Sequence, residues 1–320
     1  MTESSTTARW RIVVGFLAIY LIWGSTYLAI RFTIETIPPL LSAGIRFLIG
    51  GSLLYLWARA SGAVAATPAQ WRNSGIIGLL LVVGGTGTVT WAEQYVPSGL
   101  AALMVAAMPF WMVLIDWLRP NGQKPASSVI AGLVMGFAGI VVLVGPGNLG
   151  GAPVSTIGAV AVLMATLSWA SGSIYSRHVD LPQSRLLSVG IQMLVGGATM
   201  LAMGAMIGEL PQFHISLFTL KSVAALLYLA IIGSLAFAAY VWLLKVSTPA
   251  KVSTYAFVNP VVAVIVGWAF AGEALSARTL IAAAIIVTAV AVLTLAKGRQ
   301  PKREEAAQSS PAPVSTCEAE

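Results

Sequence analysis

Two tryptophans and two prolines recur at fixed separations along the chain, and the residues around them are the ones able to recognise a ligand. Trp23 and Trp169 lie 146 residues apart, and Pro109 and Pro260 lie 151 apart. Proline has no N–H and clashes with the carbonyl four residues before it. In a helix, the carbonyls of Val105 and Ala256 therefore lose their usual donor. Inside a bilayer that is tolerated only where neighbours or a wet cavity satisfy them. Two readings stand: bends that open backbone to a central cavity, or plain packing kinks. Recurrence in both copies favours the first. Beside Pro260 stand Thr254, Tyr255 and Asn259; the matching first-copy positions are Leu103, Met104 and Met108. One wall would hydrogen-bond and the other would offer soft, adaptable sulfur. The expected substrate-binding set is Trp23, Trp169, Tyr255, Asn259, Met104 and Met108, with Pro109 and Pro260 as helix bends. Trp23 lies too deep in its apolar run for an interfacial aromatic belt, so it either lines the cavity or packs between helices. Ser25 and Ser171, two residues on, are expected to bond carbonyls of their own helices.

Arg46 is the one basic residue well inside an apolar run. Charge within a bilayer is costly and by default functional. Its nearest candidate partner is Glu93, so the pair reads as a gate or a structural ion pair, with contact to a substrate carboxylate as the alternative. Gln192 occupies the equivalent second-copy position without the charge, which makes any such gate one-sided. No Asp or Glu falls at the middle of an apolar run, and this predicts transport without obligate proton coupling. Gly84-Gly85-Thr86-Gly87-Thr88 resembles a phosphate loop only superficially: no lysine follows it, and close helix packing is the expectation. Gly132, Gly136 and Gly139 read the same way, with a homodimer face as a second possibility. His178 and His214 have no second ligand at metal spacing. No catalytic set, metal site or cofactor is expected: HExxH and GxSxG are absent from the sequence, and so is an acid pair within the apolar runs.

These residues are carried by a duplicated framework. Residues 23–51 align with 169–197 without a gap, with eleven of 29 positions identical. Trp91 and Trp242 extend the echo at the second offset. A unit near 150 residues is too long for a solenoid repeat, so each copy is half of one architecture. Ten apolar runs, at about 11–31, 39–58, 73–92, 98–118, 127–145, 156–176, 184–207, 220–243, 250–271 and 277–296, are each near the ~20 residues that cross a bilayer as helix. Turn signals separate them: Pro38-Pro39, Pro68, Pro97, Arg119-Pro120-Asn121-Gly122, Gly145-Pro146-Gly147, Pro182, Pro211 and Pro249. With the N-terminus in the cytoplasm, 14 of the 18 Lys and Arg residues fall on cytoplasmic segments. That bias orients the bundle with both termini inside. Five helices per copy then place the second copy upside down, the plan of inverted-repeat transporters. The expected fold is an all-α membrane protein with ten transmembrane helices in two inverted five-helix repeats. Residues 1–10 form a cytoplasmic tail, 11–145 the first repeat, 156–297 the second and 298–320 a disordered tail.

Composition excludes other classes. The chain is 58% hydrophobic and only 9% charged, with mean hydropathy +0.86. A soluble domain carries about 25% charged residues, so the solvent here is mainly lipid. The net charge of +7 sits on residues scattered at run ends, not on one face, and no nucleic acid is implied. The single cysteine, Cys317, lies in the tail and has no disulfide partner. No small-residue cleavage site follows the first apolar run, so it reads as a span. Without a nucleotide-binding loop, ATP does not drive the protein directly. A secondary transporter is the main expectation; a membrane channel or facilitator is the alternative, and an intramembrane enzyme the remote one.

With these residues in view, the chain resembles the EamA family of the drug/metabolite transporter superfamily, in its YedA-like branch. The resemblance rests on Ile22-Trp23-Gly24-Ser25-Thr26-Tyr27, on Pro38-Pro39-Leu40 followed by Ile45-Arg46-Phe47, and on Ala101 through Pro109. In the second half it rests on Tyr255 through Pro260 and on Gly272-Glu273. It implies a ten-helix inner-membrane exporter of small metabolites, amino acids or drugs. Its cavity would be lined by helices 1, 3 and 4 with their counterparts 6, 8 and 9. One departure is Asn121-Gly122, where such proteins often carry a Gly-Glu pair. The partners implied are a small-molecule substrate and the lipid bilayer.

Overall fold

The computed structural model describes residues 3–118, 125, 127–144, 155–247, 252 and 254–298. The expected turns at 119–122, 145–147 and Pro249, and the tail beyond Gly298 with Cys317, lie outside the described residues. Among the described residues every long element is helical and none is a strand. We number the helices α1 Glu3–Thr33, α2 Pro39–Ala60, α3 Pro68–Ala92, α4 Ser98–Leu118, α5 Ser127–Val144, α6 Thr156–Tyr175 and α7 Arg185–Met206. After them come α8, which runs from Leu220 to Val246, α9 Tyr255–Ala271 and α10 Ala277–Gly298. Among the described residues, seven helices are long and apolar enough to cross a membrane; the apolar stretches Val129–Leu143, Tyr255–Ala271 and Ala277–Val292 are shorter.

Helix starts follow local chemistry. α3 begins at Pro68, five residues before the expected run, because Thr67 and Gln70 form a capping box and proline suits the first helical position. Ser155, Ser184 and Thr219 each accept a hydrogen bond from a first-turn amide of α6, α7 and α8. α2 and α4 follow Pro38 and Pro97 and have no such cap of their own. Their first-turn amides must find acceptors elsewhere.

The repeated motif packs against itself. α2 and α7 cross through glycines that the two copies share. A methyl added at Gly51 would lie 2.9 Å from the Leu194 amide nitrogen, and one at Gly190 would lie 2.8 Å from that of Tyr55. Gly44 and Gly197 face each other in the same crossing, a Cβ on either meeting the other's carbonyl at 3.0 Å. Only glycine lets two backbones approach so closely. The copies also exchange outer contacts: Gly196 of α7 rests on Val82 of α3, and Gly50 of α2 rests on Ser234 of α8. α5 packs on α10, and α1 packs on α9 as α4 packs on α6. The glycines of α5 are used within the chain: Gly136 takes the Phe110 ring and Gly139 takes Ile285 and Ile286.

Three irregularities interrupt the helices. α3 contains a π-helical segment, Leu79–Gly87, and α8 contains another, Tyr228–Ile232. These are equivalent places in the two copies, and such segments gather at functional sites. α4 is two pieces, Ser98–Val105 and Met108–Leu118, joined by a turn at Ala106 and Ala107. Pro109 thus opens the second piece instead of bending a continuous helix. Pro260 lies five residues into α9, nearer its start than the apolar run implied, because the regular helix begins only at Tyr255.

Candidate functional site

The first group of candidate residues meets where α1, α8 and α9 converge. The Trp23 ring lies 5.2 Å from Tyr255, 5.3 Å from Tyr240 and 6.3 Å from Phe237, centroid to centroid. Tyr240 and Tyr255 meet edge to face at 5.9 Å. The edge-on pairs match the ring quadrupoles. Tyr20, one turn before Trp23, hydrogen-bonds the Thr254 hydroxyl. Asn259 stands one turn beyond Tyr255 and is 9% exposed; its Oδ1 has no hydrogen-bond partner. A buried amide oxygen left without a donor costs about 1–3 kcal/mol, and it marks a place for a donor that arrives with a ligand. α1 comes close here because Gly24 has no side chain: a Cβ there would meet Val262 at 2.6 Å and the Asn259 carbonyl oxygen at 3.3 Å.

The second copy's tryptophan has different company. Trp169 lies against Gly85, in the π-helical segment of α3, where a Cβ would touch its ring at 3.3 Å. Next to it, Ser168 donates to the Leu80 carbonyl at 2.8 Å, and Gly84 leaves room for that hydroxyl. The glycine run therefore serves close packing, as expected. Where Trp23 has the Phe237 ring, Trp169 has glycine. Met108 is half-buried at the break in α4, whereas Met104 is fully buried in a core cluster with Leu103 and Phe110. Ser25 and Ser171 bond carbonyls of their own helices, at Leu21 and Leu167. Ser25 also reaches the Tyr228 hydroxyl at 2.7 Å, tying α1 to the π-helical segment of α8.

A second cluster closes one end of the bundle. Arg46 is buried, with its guanidinium 4.4 Å over the Phe47 ring, and its Nη1 has no hydrogen-bond partner. Glu93, one residue past the end of α3, is 0% exposed, and neither carboxylate oxygen has a hydrogen-bond partner. The two groups feel each other's charge but make no hydrogen bond. Arg31 instead donates to the Glu93 backbone carbonyl at 2.9 Å. Gln192, the counterpart of Arg46, bonds Ser188 at 3.1 Å, an internal contact without charge.

Sequence reasoning quoted Gly272-Glu273 only as a family motif and passed over Glu209; it did not foresee that both glutamates cap helices at this same end. Glu209 accepts from the Leu40 amide at 3.1 Å and the Leu41 amide at 2.8 Å. Glu273 accepts from the Ser98 amide and hydroxyl, both at 2.7 Å, and from the Gly99 amide at 2.9 Å. These are the starts of α2 and α4, the two helices that proline leaves uncapped. A carboxylate there also meets the positive end of the helix dipole. Each glutamate follows a glycine at positive φ, Gly208 at 87° and Gly272 at 64°. The left-handed glycine ends one helix and turns the next residue back toward the bundle. The readable signal is a Gly-Glu pair directly after an apolar run. First-copy counterparts at the two offsets are Gly62-Ala63 and Asn121-Gly122, neither with an acid. Among the described residues, these caps run from second-copy glutamates to first-copy helices.

Duplicated, helical and apolar enough to cross a bilayer several times, the molecule has the features of a multi-span membrane transporter. The EamA-like transporter family matches residues 10–145 and again 156–295, and the chain belongs to that family. It is 39% identical over 288 residues to the uncharacterized inner membrane transporter YedA of Escherichia coli strain K12, covering 88% of this chain and 90% of that protein. Protein PecM of Dickeya dadantii is 30% identical over 280 residues, covering 85% and 88%. A chain solved by crystallography superimposes with a TM-score of 0.61 at 26% identity, covering 90% of this chain and 99% of its own.

Proposed function

We propose that the protein is an inner-membrane secondary transporter that exports small metabolites, amino acids or drugs by alternating access. Its ten spans form two inverted five-helix repeats, 11–145 and 156–297, with both termini in the cytoplasm. The charge bias of the loops and the reciprocal packing of equivalent helices support that arrangement. The substrate sits between Trp23, Tyr255 and Asn259 on one side and Trp169 and Met108 on the other, with Met104 behind Met108. The observation that carries this reading is the unpartnered Asn259 amide oxygen beside the aromatic group and the start of α9. Aromatic faces supply contact area at low entropic cost, and the single polar atom orients the ligand. The glycine crossing of α2 and α7 supplies a rigid axis about which the halves rock.

The test has two stages. Metabolite profiles of cells with and without the protein should differ in at least one small compound. That compound should then cross liposomes that contain the purified chain, and Asn259→Ala should lower its flux while expression is unchanged. Identical profiles, or equal flux in the variant, would overturn the assignment of the site.

A further inference from the structure

Among the described residues, Glu93 is the one fully buried carboxylate with neither oxygen hydrogen-bonded. Two acids stand near each other here, Glu93 and Glu273, and their environments differ sharply. Glu273 accepts hydrogen bonds from three donors at a helix start. Glu93 has two oxygens, no donor and no exposure. A carboxylate charge enclosed without a donor is costly, so the enclosed Glu93 is held in its protonated form. The unpartnered Arg46 Nη1 agrees, because a neutral Glu93 is no counterion for it.

We propose that Glu93 is a proton-binding site, protonated while this end of the bundle is closed and deprotonated to water when it opens. The step balances simply: the carboxylic acid gives its proton to an entering water, and the carboxylate left behind turns to Arg46 and Arg31. On closure, the carboxylate takes a proton back from hydronium in the last water to leave, and Arg46 is released. Opening requires the caps of α2 and α4 to let go, so proton release and conformational change are one event. Joined to the transporter reading, on which this last link rests, the site makes transport proton-linked. It also replaces the expectation drawn from the spacing of acids in the sequence: a residue at a span end can still be completely enclosed.

The groups that face Glu93 can be named from each side. α1 brings Arg31 and Tyr27, α2 brings Arg46, and the turn after α9 brings Glu273. α6, which packs on the last turn of α3, carries no charged residue. Burial pushes the Glu93 carboxyl upward and Glu273 adds to the push, while Arg46 and Arg31 oppose it.

The experiment is an infrared pH titration of the full-length protein in lipid nanodiscs, following the carbonyl stretch of protonated carboxylic acids. The wild-type protein should show such a band that vanishes as pH rises. Glu93→Gln should lack it, and Glu93→Asp should restore a titrating band, which separates loss of the site from loss of the fold. Glu209→Ala loosens the closed end without touching Glu93. It should lower the midpoint by about one pH unit or more, a tenfold loss of proton affinity equal to about 1.4 kcal/mol. A band unchanged in Glu93→Gln, no titrating band in wild type, or a midpoint indifferent to Glu209→Ala would each overturn the proposal. None of these outcomes bears on whether a substrate crosses liposomes, so failure here leaves the transport reading separately testable.

Discussion

Replacing Glu209 with alanine should free the start of α2, and the size of the effect follows from two hydrogen bonds. The Leu40 and Leu41 amides belong to the first helical turn, which has no acceptors of its own. Pro38 supplies no side-chain cap, so the Glu209 carboxylate at 3.1 and 2.8 Å is what holds them. Hydrogen bonds to a charged group contribute about 1.5–3 kcal/mol each. Taking the low end for both, since water will reach donors once the carboxylate is gone, about 3 kcal/mol is lost. At about 1.4 kcal/mol per decade, opening becomes roughly 150-fold more frequent. The assay is amide hydrogen exchange at single-residue resolution on the full-length protein in nanodiscs. Leu40 and Leu41 should exchange roughly 100-fold faster in Glu209→Ala, because protection reports the free energy of local opening. Amides later in α2, and those at the start of α7, serve as controls: Ser42 bonds the Pro38 carbonyl at 2.8 Å, and Ser184 caps α7 within its own chain segment. Equal exchange at Leu40 and Leu41 in both proteins would refute the claim that a second-copy carboxylate caps a first-copy helix.

Further outcomes follow from the same geometry. Gly78→Ala puts a methyl 2.4 Å from the Gln192 carbonyl oxygen, so it should cost about 1–3 kcal/mol and lower the thermal midpoint. Gly75→Ala, whose nearest neighbour is a Val195 methyl at 3.6 Å, should leave it nearly unchanged. Trp23→Ala should weaken binding of the transported compound more than Trp169→Ala, because Trp23 meets three rings; equilibrium binding to each variant decides it. A reporter active only outside the cytoplasm, fused after Lys297, should be silent, and activity there would contradict the inverted arrangement.

Much of this molecule is local and was therefore legible. Helix positions follow from apolar runs and caps, and the duplication from residues 23–51 and 169–197. The glycine run at 84–87 announced close helix packing, which Ser168 and Trp169 fill, whereas the crossing through the shared glycines of α2 and α7 emerged only from the packing. Trp23, Tyr255 and Asn259 were also legible as a group, because proline and duplication marked their helices. What the sequence could not assign is which atoms meet across the chain. Glu209 reaches Leu40 across 169 residues and Glu273 reaches Ser98 across 175. No periodicity encodes such a pairing; it exists only once proline has left two helices uncapped and packing has brought an acceptor to them. The environment of Glu93 is the same kind of fact. The sequence marked it as a partner for Arg46, but not that it would be completely enclosed beside Arg31, Arg46 and Glu273. Burial and charge balance are sums over neighbours distant in sequence. They were decided by the tertiary structure alone, and with them the place where a proton can be held.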